Sequence, residues 1–92
     1  MVEEYVKALE TAKGVDIRTY DVRGKSGITD YFVVATGSAA PHLKALVKAL
    51  PKANRVSGDP ESGWIVADYI DVVVHVFSAE ARAYYALEKL WA

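Results

Sequence analysis

The chain has 92 residues, of which 52% are hydrophobic and 25% charged, a balance that is typical of one folded domain and excludes a disordered segment. It contains no cysteine, which excludes disulfide frameworks, thiolate zinc sites and cysteine nucleophiles. The formal net charge is -1, and lysine and arginine are scattered among carboxylates, so a protein that binds nucleic acid mainly through its phosphates is disfavoured.

The N-terminal part of the sequence predicts a helix, a strand and a loop. Residues 2–12 place apolar side chains at helical spacing, and Gly14 ends the helix. Residues 15–22 begin by alternating apolar and polar side chains, as in a strand with one buried face. The stretch 23–29 is bracketed by glycines and therefore predicts a loop.

A central strand and a second helix are predicted next. Residues 31–36 are apolar or β-branched almost without interruption, which is typical of a strand covered on both faces. Ser38 is expected to cap the helix that follows, with Pro41 tolerated in its first turn and Pro51 ending it. The apolar stripe of this helix consists of Leu43, Leu46, Val47 and Leu50.

The C-terminal part predicts three strands and a last helix. A short edge strand is expected around residues 55–56, followed by an exposed loop over 57–63. Two further strands are predicted at 64–68 and 71–77, and Ser78 is expected to cap the last helix. The apolar residues that share one face of this helix are Ala83, Tyr84, Leu87, Leu90 and Trp91.

The predicted order of elements is therefore α-β-β-α-(β)-β-β-α. No stretch is long enough to serve as a linker, and no internal repeat is present, so we expect one domain over residues 1–92. Because the order does not alternate strictly, it indicates an α/β fold of the α+β kind, in which helices pack on a mixed sheet.

Most of this sequence is similar to the Iojap family of ribosomal silencing factors. The matching residues are Asp21 to Ser38, His42, Gly63 to Ser78, Glu80 to Arg82, Tyr85 and Leu87 to Trp91, in that order along nearly the whole chain. The resemblance implies a nucleotidyltransferase-like fold without known catalysis. It also implies binding to ribosomal protein number fourteen of the large subunit, on the face that forms bridges to the small subunit. Occupying that face blocks subunit joining and lowers translation when nutrients are short.

The resemblance and the composition together predict a protein that binds instead of catalysing. We expect no catalytic residue, no cofactor and no metal ion, and no direct contact with nucleic acid as the main interaction. No apolar run approaches the roughly 20 residues that a membrane-spanning helix needs, so a cytoplasmic protein is expected. The sequence leaves open whether the protein is a monomer or a homodimer.

The candidate partner-binding residues lie around the last hairpin. If Ile65 and Ala67 face the core, the alternating residues of the same strand point outward. Tryptophan and tyrosine are favoured anchors of interfaces, and acidic neighbours suit a basic ribosomal protein. By composition alone a tryptophan more often fills a core, but the family's ribosome contact includes the tryptophan that matches Trp64. The predicted contact residues are Trp64, Val66, Asp68, Tyr69 and Asp71.

Two features depart from the family's pattern. The family commonly has glycine at the position of Ile70, and a β-branched residue resists the positive φ of a tight hairpin, so a wider or bulged turn is expected here. The stretch 51–63 is also shorter than in most relatives, which predicts a trimmed sheet edge nearby.

Two other functions remain open from the sequence. A small nucleotidyltransferase would use the turn at Gly37 and Ser38 to hold phosphate, with Asp68 or Asp71 on magnesium. Such enzymes usually need two carboxylates spaced two residues apart, and no Asp-x-Asp pair occurs.

An RNA-binding module of ribosome assembly is the other alternative. Lys25, Ser26 and Thr29 of the first loop are candidates for contact with RNA or protein, although a solvated loop is the more frequent arrangement. His75 is the histidine best placed for chemistry, but a buried structural histidine with one hydrogen bond is the more frequent arrangement in a valine-rich strand.

Overall fold

A computed structural model describes residues 2–25, 27 and 29–90. Its helices are α1 (Glu3–Thr11), α2 (Ala40–Ala49) and α3 (Ala79–Tyr85). Its strands are β1 (Val15–Asp21), β2 (Tyr31–Gly37), β3 (Arg55–Asp59), β4 (Trp64–Asp68) and β5 (Val72–Ser78). Two short 3-10 turns lie at Pro60–Ser62 and Leu87–Leu90. The predicted order of elements is confirmed.

The five strands form one mixed sheet in the order β1-β2-β5-β4-β3. The pair β2–β5 is parallel, and the pairs β1–β2, β3–β4 and β4–β5 are antiparallel. The prediction of an α+β fold with a mixed sheet is therefore confirmed.

The larger part of the core lies between the sheet and helices α1 and α2. Buried leucines of both helices pack on alternate residues of the three inner strands. These core residues are Leu9, Leu43, Leu46, Leu50, Val33, Ala35, Ile65, Ala67, Val72, Val74 and Val76. On the opposite face, Val34 and Phe77 pack against Ala81 of α3. The strand β2 is thus covered on both faces, as its unbroken apolar run predicted.

The start of α2 differs from the sequence prediction. Ala39 is the N-cap and no side chain caps the helix, so the prediction for Ser38 was wrong. Instead, the Ser38 amide donates a hydrogen bond to Nδ1 of His42 at 2.9 Å. Nε2 of the same ring lies 2.8 Å from the carbonyl oxygen of Ala12, and because a carbonyl only accepts, this nitrogen carries the proton. His42 therefore ties the end of α1 to the start of α2.

The C-terminal segment also differs from the prediction of one continuous helix. The helix α3 ends at Tyr85, Ala86 adopts a left-handed conformation with φ 48°, and a 3-10 turn follows. Tyr84 and Leu90 are exposed, so the predicted apolar face does not form, and Trp91 lies outside the described residues.

The reversal at Ala86 is held by contacts with residues distant in the sequence. Glu88 accepts hydrogen bonds from Arg82 and from the hydroxyl of Tyr20 on β1. In a continuous helix, residues six apart lie about 120° apart around the axis and about 9 Å apart along it, so Glu88 would not face Arg82.

The edge strand predicted at residues 55–56 is present and longer than expected. It continues to Asp59, so the first part of the predicted loop over 57–63 is strand, and a 3-10 turn occupies Pro60–Ser62. Every residue of β3 pairs with a residue of β4. None of the helices in the described part of the chain has the length and apolar character needed to cross a membrane.

The hairpin between β4 and β5 does not widen to accommodate Ile70. The Asp71 amide donates to the carbonyl of Tyr69, two residues earlier, which closes a γ-turn with Ile70 at φ 74°. The expectation of a wider or bulged turn was wrong. The Ile70 amide also donates to Oδ1 of Asp68 at 2.8 Å, and this bond supports the strained conformation.

We predict that Ile70→Gly stabilises the protein by about 1 kcal/mol, because glycine adopts a positive φ without strain and the exposed isoleucine buries little surface. Thermal denaturation is expected to show a rise of roughly 4–8 °C in Tm. Val56→Gly is the matched control, since it removes an exposed β-branched residue from ordinary strand backbone and is expected to lower Tm. A fall of Tm in both variants would contradict the strain at Ile70.

Candidate protein-binding surface

The strand β4 presents its residues alternately to the two faces of the sheet, as predicted. Ile65 and Ala67 are buried against α1 and α2. Trp64, Val66 and Asp68 are half-buried on the opposite face, which α3 covers at one end. This arrangement places three of the five predicted contact residues on one side.

The indole of Trp64 is held within a group of rings and does not project freely. Its ring stacks on Phe77 with centroids 5.1 Å apart and contacts Tyr85 with centroids 4.9 Å apart. Its Nε1–H donates a hydrogen bond to Nδ1 of His75 at 3.1 Å. The sequence predicted an outward-facing tryptophan, whereas the structure leaves only part of this side chain exposed.

Two tyrosines of α3 continue this group of rings to the surface. Both Tyr84 and Tyr85 are exposed, and their rings meet edge to face with centroids 5.1 Å apart. We call Trp64, His75, Phe77, Tyr84 and Tyr85 the aromatic cluster. The sequence reasoning missed these tyrosines as surface residues, although adjacent residues on a helix point about 100° apart and cannot both face one core.

The other predicted contact residues do not share this side. Tyr69 packs on Tyr5 of α1, with ring centroids 4.6 Å apart, and its hydroxyl donates to the carbonyl of Pro51. Burial raises the pKa of Tyr69 to about 12, so the hydroxyl stays a donor. Asp71 is exposed at the end of the sheet, where its backbone carbonyl accepts hydrogen bonds from the amides of Asp30 and Tyr31. The five predicted residues therefore do not form one continuous patch.

His75 is a buried histidine with a hydrogen-bonded neighbour, as the sequence predicted. Its side chain is 7% exposed and lies between the rings of Phe32 and Phe77. Burial lowers the pKa of His75 to about 4, because desolvation disfavours the charged ring. The imidazole is therefore neutral at physiological pH, and its Nδ1 accepts the hydrogen bond from the indole N–H.

The residues of the nucleotidyltransferase hypothesis lie at opposite ends of the sheet. Gly37 pairs with Ser78 at the end of β5, whereas Asp68 pairs with Val73 near its start. Five residue steps along β5 separate Val73 from Ser78, which corresponds to roughly 17 Å. The Gly37 and Ser38 turn and the two aspartates therefore cannot act on one phosphate and its metal ion.

The surroundings of Ser38 also disfavour an anion. A cavity of about 700 Å³ beside Ser38 is lined by Glu61, Glu80 and the two tyrosines of α3. Neither carboxylate suits a phosphate group. Among residues 2–25, 27 and 29–90, no group of three histidine, aspartate or glutamate side chains is placed to hold a metal ion.

Comparison with known proteins was made for the whole sequence. The family model described as ribosomal silencing factor during starvation matches residues 1–92. A ribosomal silencing factor of Haemophilus influenzae is 37% identical over 100 residues, which span 100% of this chain and 98% of that protein. A mouse protein named mitochondrial assembly of ribosomal large subunit protein 1 is 30% identical, over 98% of this chain and 44% of its own length.

A crystal structure of a protein from Chromobacterium violaceum has the same fold. It superposes with a TM-score of 0.86 and 33% sequence identity, over 97% of this chain and 81% of that chain. The resemblance drawn from the sequence is thereby confirmed. This chain belongs to the family of ribosomal silencing factors.

Proposed function

We propose that this protein binds the large ribosomal subunit through its protein number fourteen and thereby prevents the small subunit from joining. The observation that carries the proposal is the family match over the whole chain. The mechanism is occupancy of a shared surface, so no turnover, cofactor or metal ion is involved. The protein then acts in the cytoplasm, where its ribosomes are, and lowers translation under nutrient limitation.

The face of the sheet that α3 covers only at one end is the contact surface of this proposal. The helix α3 has seven residues; Trp64 contacts it through Tyr85, and Val66 and Asp68 follow along β4, half-buried on the same face. Phe32 of β2 lies on this face across the intervening strand β5, where its ring contacts His75. We call Trp64, Val66, Asp68 and Phe32 the platform. It combines two aromatic rings with one aliphatic side chain and one carboxylate. Aromatic side chains contribute much of the binding energy of protein interfaces, and the carboxylate attracts a basic partner.

Asp68 and Asp71 add negative charge at the hairpin end of this surface. Ribosomal proteins are mostly basic, so these carboxylates favour encounter with such a partner and reject acidic ones. Their contribution is mainly to the association rate, because exposed charges are screened by salt. Tyr69 supports the hairpin from the opposite face through Tyr5 and Pro51, so its part in the proposed site is indirect.

We expect Trp64→Ala to weaken binding to purified large subunits about thirtyfold, because interface tryptophans typically contribute 2 kcal/mol or more. The measurement is co-sedimentation of the variant with large subunits over a concentration series. Thermal denaturation checks that the variant folds, since the indole also packs on Phe77. Val56→Ala is the control, because Val56 is an exposed apolar residue of the edge strand outside the platform.

If Trp64→Ala folds and binds large subunits as tightly as the parent protein, the platform is not the contact surface. The blocking step is tested separately by light scattering of mixed subunits. Rising concentrations of the protein are expected to lower the fraction of joined ribosomes in proportion to occupancy of the large subunit. Binding without loss of subunit joining would contradict the proposed mechanism.

A further inference from the structure

The hydrogen bond between Trp64 and His75 joins a surface residue to a buried one across two strands. Trp64 pairs with Phe77 in the β4–β5 register, and His75 lies two residues back along β5 on the same face. The imidazole contacts the rings of Phe32 and Phe77, and its plane is nearly parallel to that of Phe77, at 8°. Its position is therefore set by packing in the sheet.

The direction of this bond follows from the chemistry of the two rings. An indole N–H can only donate, so Nδ1 of His75 must carry a free electron pair directed at Trp64. Burial keeps the imidazole neutral at physiological pH and leaves this acceptor in place. The indole also stacks on Phe77 and makes a tilted contact with Tyr85, and these contacts restrain the plane of the ring. The hydrogen bond adds a directional restraint, because a half-turn about the Cβ–Cγ bond would carry Nε1 away from His75.

We propose that His75 is a positioning residue, which fixes the orientation of the Trp64 indole that the ribosomal partner contacts. This inference rests on the proposed function, because it assigns His75 a role in that same surface. A side chain held in its bound orientation loses less conformational entropy on association. His75 therefore contributes to affinity without contacting the partner.

Two substitutions of His75 separate positioning from packing. His75→Asn keeps a hydrogen-bond acceptor close to the place of Nδ1, whereas His75→Leu keeps apolar volume and removes the acceptor. We expect the affinity of His75→Asn for large subunits to lie within about twofold of that of the parent protein. We expect His75→Leu to bind roughly threefold to tenfold more weakly. If His75 only fills space, the order is reversed, because leucine suits a buried site better than asparagine.

A double-mutant cycle with Trp64→Phe links the effect to the indole N–H. Phenylalanine has no N–H, so His75→Leu is expected to have no further effect on binding in the Trp64→Phe background. Equal losses from His75→Leu in both backgrounds would overturn the positioning role.

Hydrogen exchange of the Trp64 indole proton, followed by NMR, gives an independent readout. The proton is expected to be protected in the parent protein and in His75→Asn, and to exchange faster in His75→Leu. Unchanged protection in His75→Leu would contradict the hydrogen bond itself.

The outcomes distinguish this inference from the proposed function. If Trp64→Ala and Trp64→Phe both bind large subunits like the parent protein, the proposed surface is wrong. If Trp64→Ala weakens binding while His75→Leu leaves it unchanged, the surface stands and the positioning role is wrong.

Discussion

Replacing Arg82 with alanine is expected to lower the free energy of unfolding by about 3 kcal/mol, because it breaks a nearly buried ion pair and leaves its partner unsatisfied. The Arg82 side chain is only 10% exposed. Its guanidinium donates to both carboxylate oxygens of Glu88, at 2.6 and 3.0 Å, and to Oγ1 of Thr36 at 2.8 Å. It also donates to the backbone carbonyl of Asp16 at 2.8 Å.

The same network holds the C-terminal 3-10 turn against the sheet. Hydrogen bonds from Arg82 keep the pKa of Glu88 below its usual value, although partial burial acts in the opposite direction. The stabilisation is therefore present at neutral pH and is lost as the pH falls through the lowered pKa of Glu88. Without Arg82, Glu88 loses its partner, and the 3-10 turn that follows Ala86 loses its main attachment to α3.

Urea denaturation of Arg82→Ala measures this effect, and Arg18→Ala is the matched control. Arg18 pairs with the same aspartate, Asp16, at 2.9 Å, but its side chain is 60% exposed. Exposed ion pairs contribute about 0–1 kcal/mol, so this control is expected to lose little stability. Similar losses in the two variants would show that burial of Arg82 does not set its contribution.

Acidification is expected to lower the free energy of unfolding through His75, by about 3 kcal/mol between pH 6.5 and 4. In the unfolded chain this ring binds a proton near pH 6.5, whereas burial lowers its pKa to about 4 in the folded protein. Over that window the unfolded state binds more protons than the folded state, so stability falls as the pH falls. Below pH 4 both states are protonated and this contribution is flat.

The measurement is urea denaturation of the parent protein and of His75→Leu at several pH values from 7.5 to 5. This range lies above the pH at which carboxylates with lowered pKa values, such as Glu88 and Asp21, begin to take up protons. His75→Leu is expected to show a smaller slope of unfolding free energy with pH. Equal slopes in the two proteins would mean that His75 does not remain neutral in the folded state.

Sequence reasoning predicted the elements of this fold well because each depends on local periodicity. The alternation of Ile65 and Ala67 with their neighbours predicted which face of β4 is buried, and the structure confirms it. The apolar run of β2 likewise predicted a strand covered on both sides. Ser78 was predicted to cap the last helix, and its Oγ accepts from the amide of Ala81 at 3.1 Å.

The candidate site was predicted less completely, because its residues lie beyond the end of one strand. Strand alternation extended past Asp68 places Tyr69 on the side of Ile65 and Ala67, opposite Trp64, whereas the prediction grouped Tyr69 and Asp71 with Trp64 because they follow it closely in the chain. Tyr69 consequently packs with Tyr5 on the other face. The part played by Tyr85 depends on where α3 crosses the sheet, which no local pattern indicates.

The family, the order of elements and the buried face of β4 were determined by the sequence alone, since side-chain direction repeats with a fixed period inside an element. The tertiary structure decided how the chain passes between elements. Contacts between residues distant in the sequence fold Glu88 back onto Arg82 and Tyr20 and bring His75 under the indole of Trp64. These contacts outweigh local preference, because a nearly buried charge or indole N–H must find a partner wherever the fold supplies one.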